Sequence, residues 1–69
     1  MNEIKLKGEY IKLGQALKAA GLVGSGIDAK IVIQEGEVLL NGEVETRRGK
    51  KLFGGEVISF NGEEINIIK

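Results

Sequence analysis

The sequence predicts a single α+β domain, residues 1–69, in which two short helices pack on a small, mainly antiparallel, twisted sheet. Two apolar stripes at helical spacing occupy the first half of the chain. Two Asn-Gly pairs, each between apolar runs, occupy the second half. Because no linker or low-complexity tract separates the halves, we expect all the elements to share one core.

A strand and a helix begin the chain. Apolar and charged residues alternate over 3–7, which predicts a strand with Ile4 and Leu6 facing the core. A helix is predicted over 13–20, where one apolar stripe consists of Leu13, Ala16, Leu17 and Ala20. Gly21 is suited to end this helix, because glycine accepts the left-handed conformation readily. With only about two turns, the helix must pack against another element to be stable.

Ser25 begins the second helix. It forms a Ser-x-x-Asp capping box with Asp28, in which each side chain accepts a hydrogen bond from the backbone N–H of the other residue. The apolar stripe of this helix consists of Ala29, Val32 and Ile33. Gly36 is predicted to end it.

Two hairpins follow the helices. Asn-Gly between apolar runs predicts a tight turn, because both residues accept positive φ. The predicted strands are 38–40 and 43–46 around Asn41-Gly42, and 57–60 and 65–68 around Asn61-Gly62. The aromatic rings of Phe53 and Phe60 are predicted to lie in the core.

The composition argues against catalysis and metal binding. The chain has no cysteine to supply a thiolate and no histidine, the usual general base at neutral pH. Ser25 therefore has no base to activate it, and the scattered glutamates suggest no metal site. We expect no cofactor and no enzymatic activity. No apolar run approaches the roughly 20 residues of a membrane helix, so we expect no membrane contact and a cytoplasmic location.

The charge is balanced overall but concentrated locally. Lysine plus arginine and aspartate plus glutamate each number 10. A stretch of five residues nevertheless holds four cations without an intervening acid: Arg47, Arg48, Lys50 and Lys51. Arginine grips phosphate oxygens in pairs, lysine adds a point charge, and Gly49 lets the backbone approach closely. The stretch predicts an exposed phosphate-binding loop, and the alternative is a solvated loop balanced by nearby glutamates.

Two lysines and the start of the second helix are further candidates for phosphate contact. Lys18 and Lys30 each lie beside an apolar helical stripe, where a lysine often only covers the edge of the core with its stem. They gain a binding role if the helices present both on the side where the basic loop emerges. Ser25 and Gly26 open the second helix, whose free backbone N–H groups can donate hydrogen bonds to a phosphate. A plain helix cap is the alternative interpretation of this pair.

The aromatic residues are few. Tyr10, Phe53 and Phe60 are the only ones in the sequence. Proteins that stack successive bases of a single strand expose more aromatic side chains than this. A nucleic-acid ligand is therefore expected to be folded RNA, recognised through its shape and its phosphates.

A resemblance to a known family is carried by the run Leu13-Gly14-Gln15-Ala16-Leu17-Lys18-Ala19-Ala20-Gly21-Leu22 and by Ala29-Lys30, Gly36, Val38 and Asn41-Gly42. These residues resemble the αL-motif RNA-binding domain first described in protein four of the small ribosomal subunit, called the S-four domain below. The chain looks most like the small bacterial members that consist of this domain alone.

The resemblance implies RNA binding by the two-helix face and the adjoining loop. Lys30 matches a position on the second helix that is commonly basic in the family. Arg47, Arg48 and Lys51 match the basic loop of the small bacterial members. The resemblance therefore assigns RNA contact to the same loop that the charge pattern indicates.

We therefore expect a monomeric RNA-binding protein that recognises structured RNA, such as ribosomal or transfer RNA, with ribosomal or ribosome-assembly components as partners. Gly26 and Glu37 depart from the family pattern, in which arginine or lysine is common at these positions, and this implies weaker or more selective binding. A protein-interaction adaptor on the same fold, whose basic loop meets an acidic protein, is the alternative function.

Overall fold

The computed structural model describes residues 2–69. The elements in chain order are β1 Asn2–Lys5, β2 Ile11–Lys12, α1 Leu13–Ala19, α2 Gly26–Gln34, β3 Val38–Leu40, β4 Glu43–Val44, β5 Lys51–Leu52, β6 Val57–Phe60 and β7 Glu63–Ile68. Within the described residues, neither helix is long and apolar enough to cross a lipid bilayer.

Five of the strands form one sheet in the order β1-β7-β6-β3-β4. The outer pair β1–β7 is parallel, whereas β6–β7, β3–β6 and β3–β4 are antiparallel. The short strands β2 and β5 pair with each other, antiparallel, as a separate two-stranded ribbon. The predicted α+β class, two short helices on a mainly antiparallel sheet, is confirmed.

The core lies between the two helices and the sheet. Its side chains are at most 1% exposed and come from both helices, the sheet and the ribbon: Leu13, Ala16, Leu17, Ala29, Ile33, Val38, Leu52, Ile58, Ile65 and Ile67. Each buried leucine or isoleucine removes enough apolar surface from water to stabilise the fold by about 1.5–3 kcal/mol. Since α1 has only 7 residues, this packing is what keeps it helical.

Both Asn-Gly pairs form the predicted tight turns. Asn41 and Asn61 each have φ of 52°, and the glycines that follow, Gly42 and Gly62, have φ of 86° and 80°. Positive φ at both central positions is the requirement of the type I′ turn, which matches the twist of the strands it joins. The Asn41 side chain also accepts a hydrogen bond from the Val57 N–H at 2.9 Å, which ties the first turn to β6.

The predicted helix boundaries are confirmed, and the capping box is half formed. Gly21 and Gly36 have φ of 75° and 78°, as expected for glycines that follow a helix. The Ser25 hydroxyl accepts a hydrogen bond from the Asp28 N–H at 3.2 Å. The reciprocal bond from the Ser25 N–H to the Asp28 carboxylate does not form within residues 2–69.

The ribbon and one aromatic ring differ from the sequence predictions. Strands β2 and β5 were not predicted, because two residues are too few to show an alternating pattern. The predicted core position of Phe53 is wrong, since its side chain is 47% exposed. Phe60 packs against the core as predicted.

Loss of the Ser25 cap is expected to destabilise the domain without changing its fold. Ser25→Ala removes the acceptor of the Asp28 N–H and should cost about 1 kcal/mol. In a domain of this size that cost lowers the melting temperature by roughly 4–8 °C. Thermal unfolding followed by circular dichroism measures the change. Ser25→Asn keeps a side-chain acceptor and is the control; an equal loss in both variants would contradict the assigned cap.

Candidate nucleic-acid interface

The basic loop is docked on the amino end of α1 by its own backbone. The Leu13 N–H donates to the Lys50 carbonyl at 2.9 Å, and the Gly14 N–H donates to the Arg48 carbonyl at 3.1 Å. These are two of the helix N–H groups that have no partner within the helix. A β-carbon at Gly14 would lie 2.7 Å from Cγ of Arg48, so only glycine allows this approach without a shift.

This docking leaves an open groove of about 400 Å³ between the amino ends of both helices and the loop. The groove is lined by Lys12, Gly14, Gln15, Lys18, Gly26, Ala29, Arg48 and Gly49. Its lining therefore contains three cations, Lys12, Lys18 and Arg48, and no carboxylate. A concave surface with charges of one sign concentrates the electrostatic potential and attracts the opposite charge. Although the protein is neutral, this groove is suited to an anion.

The four cations that are neighbours in the sequence do not act as one patch. Arg48 faces the groove, whereas Arg47 turns to Glu45 and forms a two-pronged ion pair with Nε–Oε2 and Nη2–Oε1 distances of 2.9 and 3.0 Å. Both arginines are exposed, as predicted. Glu45 is a partner of Arg47 that the sequence analysis missed. The sequence indicates only that glutamates lie near the loop, not which of them pairs with which cation.

The two lysines of the loop are also drawn away from the groove. Lys50 is partly buried, and its ammonium favours the ionised forms of Glu45 and Glu56. Lys51 lies in β5, and its Nζ stands 4.8 Å from the centre of the Tyr10 ring. Of the four cations Arg47, Arg48, Lys50 and Lys51, the structure thus brings only Arg48 into the groove lining.

Of the remaining predicted site residues, some line or flank the groove and one lies outside it. Lys18 and Gly26 line the groove, and Lys30 is exposed one turn along α2 from Gly26. Residues four apart are neighbours on a helix surface, so Lys30 flanks the groove. Ser25 lies outside the lining, and its hydroxyl is engaged in the helix cap.

Lys12 is the groove residue that sequence analysis missed. A signal for it exists, because Lys12, Gln15 and Lys18 are spaced three apart and so lie along one side of α1. The Gln15 side chain fixes this arrangement, since its Oε1 accepts a hydrogen bond from the Lys12 N–H at 3.1 Å. Lys12 lies outside the apolar stripe of the helix, and that stripe predicts only the side that packs on the core.

Comparison with known proteins decides the family. The family model described as the S4 domain matches residues 4–68. The chain belongs to the S4 domain family. This is the family that the sequence resembles and that is called the S-four domain above.

Similar proteins are found in bacteria. The S4 domain is 46% identical over 61 residues to the probable ribosome maturation protein RlbA of Bacillus subtilis (strain 168), covering 88% of this chain and 86% of that protein. It is 39% identical over 62 residues to YbcJ of Escherichia coli (strain K12), a protein named as a candidate RNA-binding protein, covering 90% and 89%. The solution structure of E. coli YbcJ, described as having an αL motif involved in RNA binding, superposes with a TM-score of 0.76 at 37% identity, covering 100% of this S4 domain and 89% of that chain.

Glu45 has the most strongly shifted ionisation near the site. Its carboxylate accepts hydrogen bonds from the Arg47 guanidinium, which outweigh the opposing effect of burial and lower its pKa from 4.5 to about 2. The Arg47 N–H also donates to Glu45 Oε2 at 3.1 Å. Glu45 therefore stays charged at physiological pH and holds Arg47 away from the groove.

Among residues 2–69, no group of three or more histidine, cysteine, aspartate or glutamate side chains is placed to hold a metal ion. The lining of the groove offers hydrogen bonding and electrostatic attraction from its lysines, its arginine and its backbone.

Acid is expected to remove the contribution of the Glu45–Arg47 pair. Because the folded pKa of Glu45 lies below 4.5, the pair stabilises the fold above pH 4.5, and this stabilisation is lost as the pH falls from 4.5 to about 2. Since the Arg47 side chain is 68% exposed, solvent screening keeps this contribution small. Melting temperatures measured against pH should show Glu45→Gln below the natural protein at neutral pH and converging with it in acid. Glu43→Gln removes a nearby exposed carboxylate and is the control; equal pH profiles for both variants would contradict the assignment.

Proposed function

We propose that this S4 domain binds structured RNA by placing RNA phosphates in the groove between the two helices and the docked loop. The observation that carries the proposal is a concave lining with three cations and no carboxylate. RNA phosphates are the anions that such a surface fits, because affinity for nucleic acids comes largely from neutralising them. Double-stranded RNA is recognised mainly by its shape and its backbone rather than by its base edges.

Each groove residue has a distinct part in this proposal. Arg48 offers a planar fork that can hold two oxygens of one phosphate. Lys12 and Lys18 supply mobile point charges along the side of α1, and Lys30 extends the contact along α2. The backbone at Gly26 adds an N–H donor at the positive end of the α2 dipole.

The other cations of the loop take a lesser part. Arg47 can offer a phosphate only the guanidinium donors that Glu45 leaves, and Ser25 contributes by capping α2 rather than by direct contact. Lys50 and Lys51 add to the local potential from positions outside the groove lining. The proposed contact thus involves about four cations, which fits moderate rather than very tight binding.

The relatives support the same function and suggest its setting. RlbA is named for ribosome maturation, and the αL motif of YbcJ is described as involved in RNA binding. We propose that ribosomal or transfer RNA is the ligand and that ribosomal or ribosome-assembly components are its partners. The protein acts as a cytoplasmic monomer that binds RNA without catalysing a reaction.

The affinity for RNA is expected to fall steeply with salt. Contact with four or five phosphates releases counterions, so the logarithm of the association constant should fall against that of the salt concentration with a slope on the order of −3 to −4.5. Titration of a blunt-ended stem-loop RNA at several salt concentrations, followed by fluorescence anisotropy, measures the slope. A slope near zero at unchanged affinity would exclude the phosphate contact.

Reversing the groove charges is expected to abolish most of the binding. Lys18→Glu with Arg48→Glu should weaken binding of the same stem-loop at least tenfold, which requires only about 1.4 kcal/mol. Both side chains are exposed, so the melting temperature should change little. The measurement is anisotropy on the natural and variant proteins side by side.

The matched control lies on the first strand and the segment that follows it. Lys5→Glu with Lys7→Glu makes the same change of net charge at two exposed positions outside the groove lining. Equal weakening by both double variants would mean that only the bulk charge matters. Retained RNA binding by the groove variant, together with loss of an acidic protein partner in pull-down, would favour the adaptor function instead.

A further inference from the structure

The outer face of the β2–β5 ribbon combines aromatic and basic side chains. In the ribbon Ile11 pairs with Leu52 and Lys12 pairs with Lys51. Leu52 is fully buried and Ile11 packs against the core. Because side chains alternate between the faces of a strand, the flanking positions face outward. They are Tyr10, Lys12, Lys51 and Phe53, and all four are exposed.

The two aromatic rings lie against each other at the end of the ribbon. Their centres are 5.8 Å apart with the planes tilted by 53°. Tyr10 is 39% exposed and Phe53 is 47% exposed, so much of both rings faces solvent. Exposing two adjacent rings is unfavourable for a small domain with a marginal core. What distinguishes the two rings from the other exposed apolar side chains is that they lie against each other and beside two lysines.

The position of Phe53 is fixed by the turn that follows it. The Glu56 carboxylate accepts hydrogen bonds from the Phe53 N–H and the Gly54 N–H, both at 2.8 Å. Burial disfavours the charged form of Glu56, but these backbone donors, its own N–H and nearby Lys50 together lower its pKa. Tyr10 is held in turn by the pairing of Ile11 with Leu52. The ring pair is thus built on fixed backbone, as a binding surface requires.

We propose that the Tyr10–Phe53 pair is a stacking platform for an unpaired nucleobase of the RNA whose phosphates bind in the groove. The inference rests on the proposed function and adds a second contact of different chemistry to it. Every base has a π face, so an exposed ring can bind an unstacked base regardless of sequence. The ligand is therefore a stem with an adjoining unpaired nucleotide, rather than a duplex alone.

The platform is continuous with the groove through Lys12. This residue lines the groove and also lies on the outer face of the ribbon, two positions along from Tyr10. Two residues of a strand span about 7 Å, a distance that the backbone of one nucleotide can cover. A phosphate held at Lys12 therefore places the neighbouring base over the ring of Tyr10.

Lys51 lies over the Tyr10 ring. Its ammonium lies 4.8 Å from the centre of the Tyr10 ring. An exposed contact of this kind is weaker than the stacking of a base on an aromatic side chain. Since the lysine stem is flexible, an arriving base can displace the ammonium, which then remains close enough to attract the adjoining phosphate. Lys51 can thus support the ligand through its charge.

The single tyrosine makes the platform directly observable. The protein has one tyrosine and no tryptophan, so its intrinsic fluorescence reports on Tyr10 alone. Three RNA probes share one stem-loop: a blunt end, an overhang of unpaired adenosines, and the same overhang without its bases. The third probe keeps the overhang phosphates and removes only the stacking. We expect the adenosine overhang to quench Tyr10 and to bind at least about fivefold more tightly than the other two probes.

Two variants test each ring separately. Tyr10→Leu and Phe53→Leu keep apolar bulk but remove one aromatic face each, and each should abolish the preference for the adenosine overhang while leaving affinity for the blunt stem-loop unchanged. Phe53→Leu retains the fluorescence of Tyr10. Tyr10→Phe keeps the ring and is the matched control, expected to retain the preference. Melting temperatures identify a variant that fails to fold. In that case the other ring variant and the base-free probe still test whether stacking contributes to binding.

The possible results separate this inference from the proposed function. Equal affinity for all three probes, with unchanged Tyr10 fluorescence, overturns the platform and leaves phosphate binding in the groove intact. If the base-free overhang and the adenosine overhang raise the affinity equally, the platform is overturned as well, because the overhang phosphates alone would then explain the gain in affinity. Failure of all three probes to bind overturns both. Quenching by the adenosine overhang that persists in the Lys18→Glu, Arg48→Glu variant supports the platform independently of the groove.

Discussion

Two hydrogen bonds between α1 and the basic loop organise most of what is distinctive in this structure. The Leu13 and Gly14 N–H groups at the amino end of the helix donate to the carbonyls of Lys50 and Arg48. The first N–H groups of any α-helix have no acceptor within the helix. The loop supplies acceptors, and the absence of a side chain at Gly14 lets it approach closely. Because these backbone N–H groups need acceptors, the basic loop is held beside both helices.

The docking explains how a protein of zero net charge can present a cationic groove. It turns Arg48 towards Lys12 and Lys18, which come from an entirely different part of the chain. On the other side of the loop, Glu45 engages Arg47. The same docking continues into the β2–β5 pairing, which brings Tyr10 to Phe53. The position of the basic groove and that of the aromatic pair therefore both depend on how the basic loop docks on α1 and β2.

The elements with strong local signals could be predicted from the sequence. Both Asn-Gly turns, the glycines after each helix and the Ser25 cap depend on conformations or hydrogen bonds within a few residues. The ribbon could not be predicted, since two-residue strands carry no periodicity and their paired residues are far apart in the sequence, Ile11 with Leu52 and Lys12 with Lys51. Phe53 was predicted to lie in the core because it is hydrophobic. The direction of its side chain depends on the ribbon, which the sequence does not predict.

The sequence by itself determined the family, the α+β class and the presence of a basic loop, because each is encoded in residue types and short-range spacing. Only the tertiary structure decided which cations share a surface. Arg47 and Arg48 are adjacent and chemically identical, yet one is held by Glu45 and the other lines the groove. Adjacent side chains in an irregular loop can point in different directions, and charge acts through distance in space rather than along the chain. For that physical reason, a basic run in a sequence locates a binding surface but does not identify its contacts.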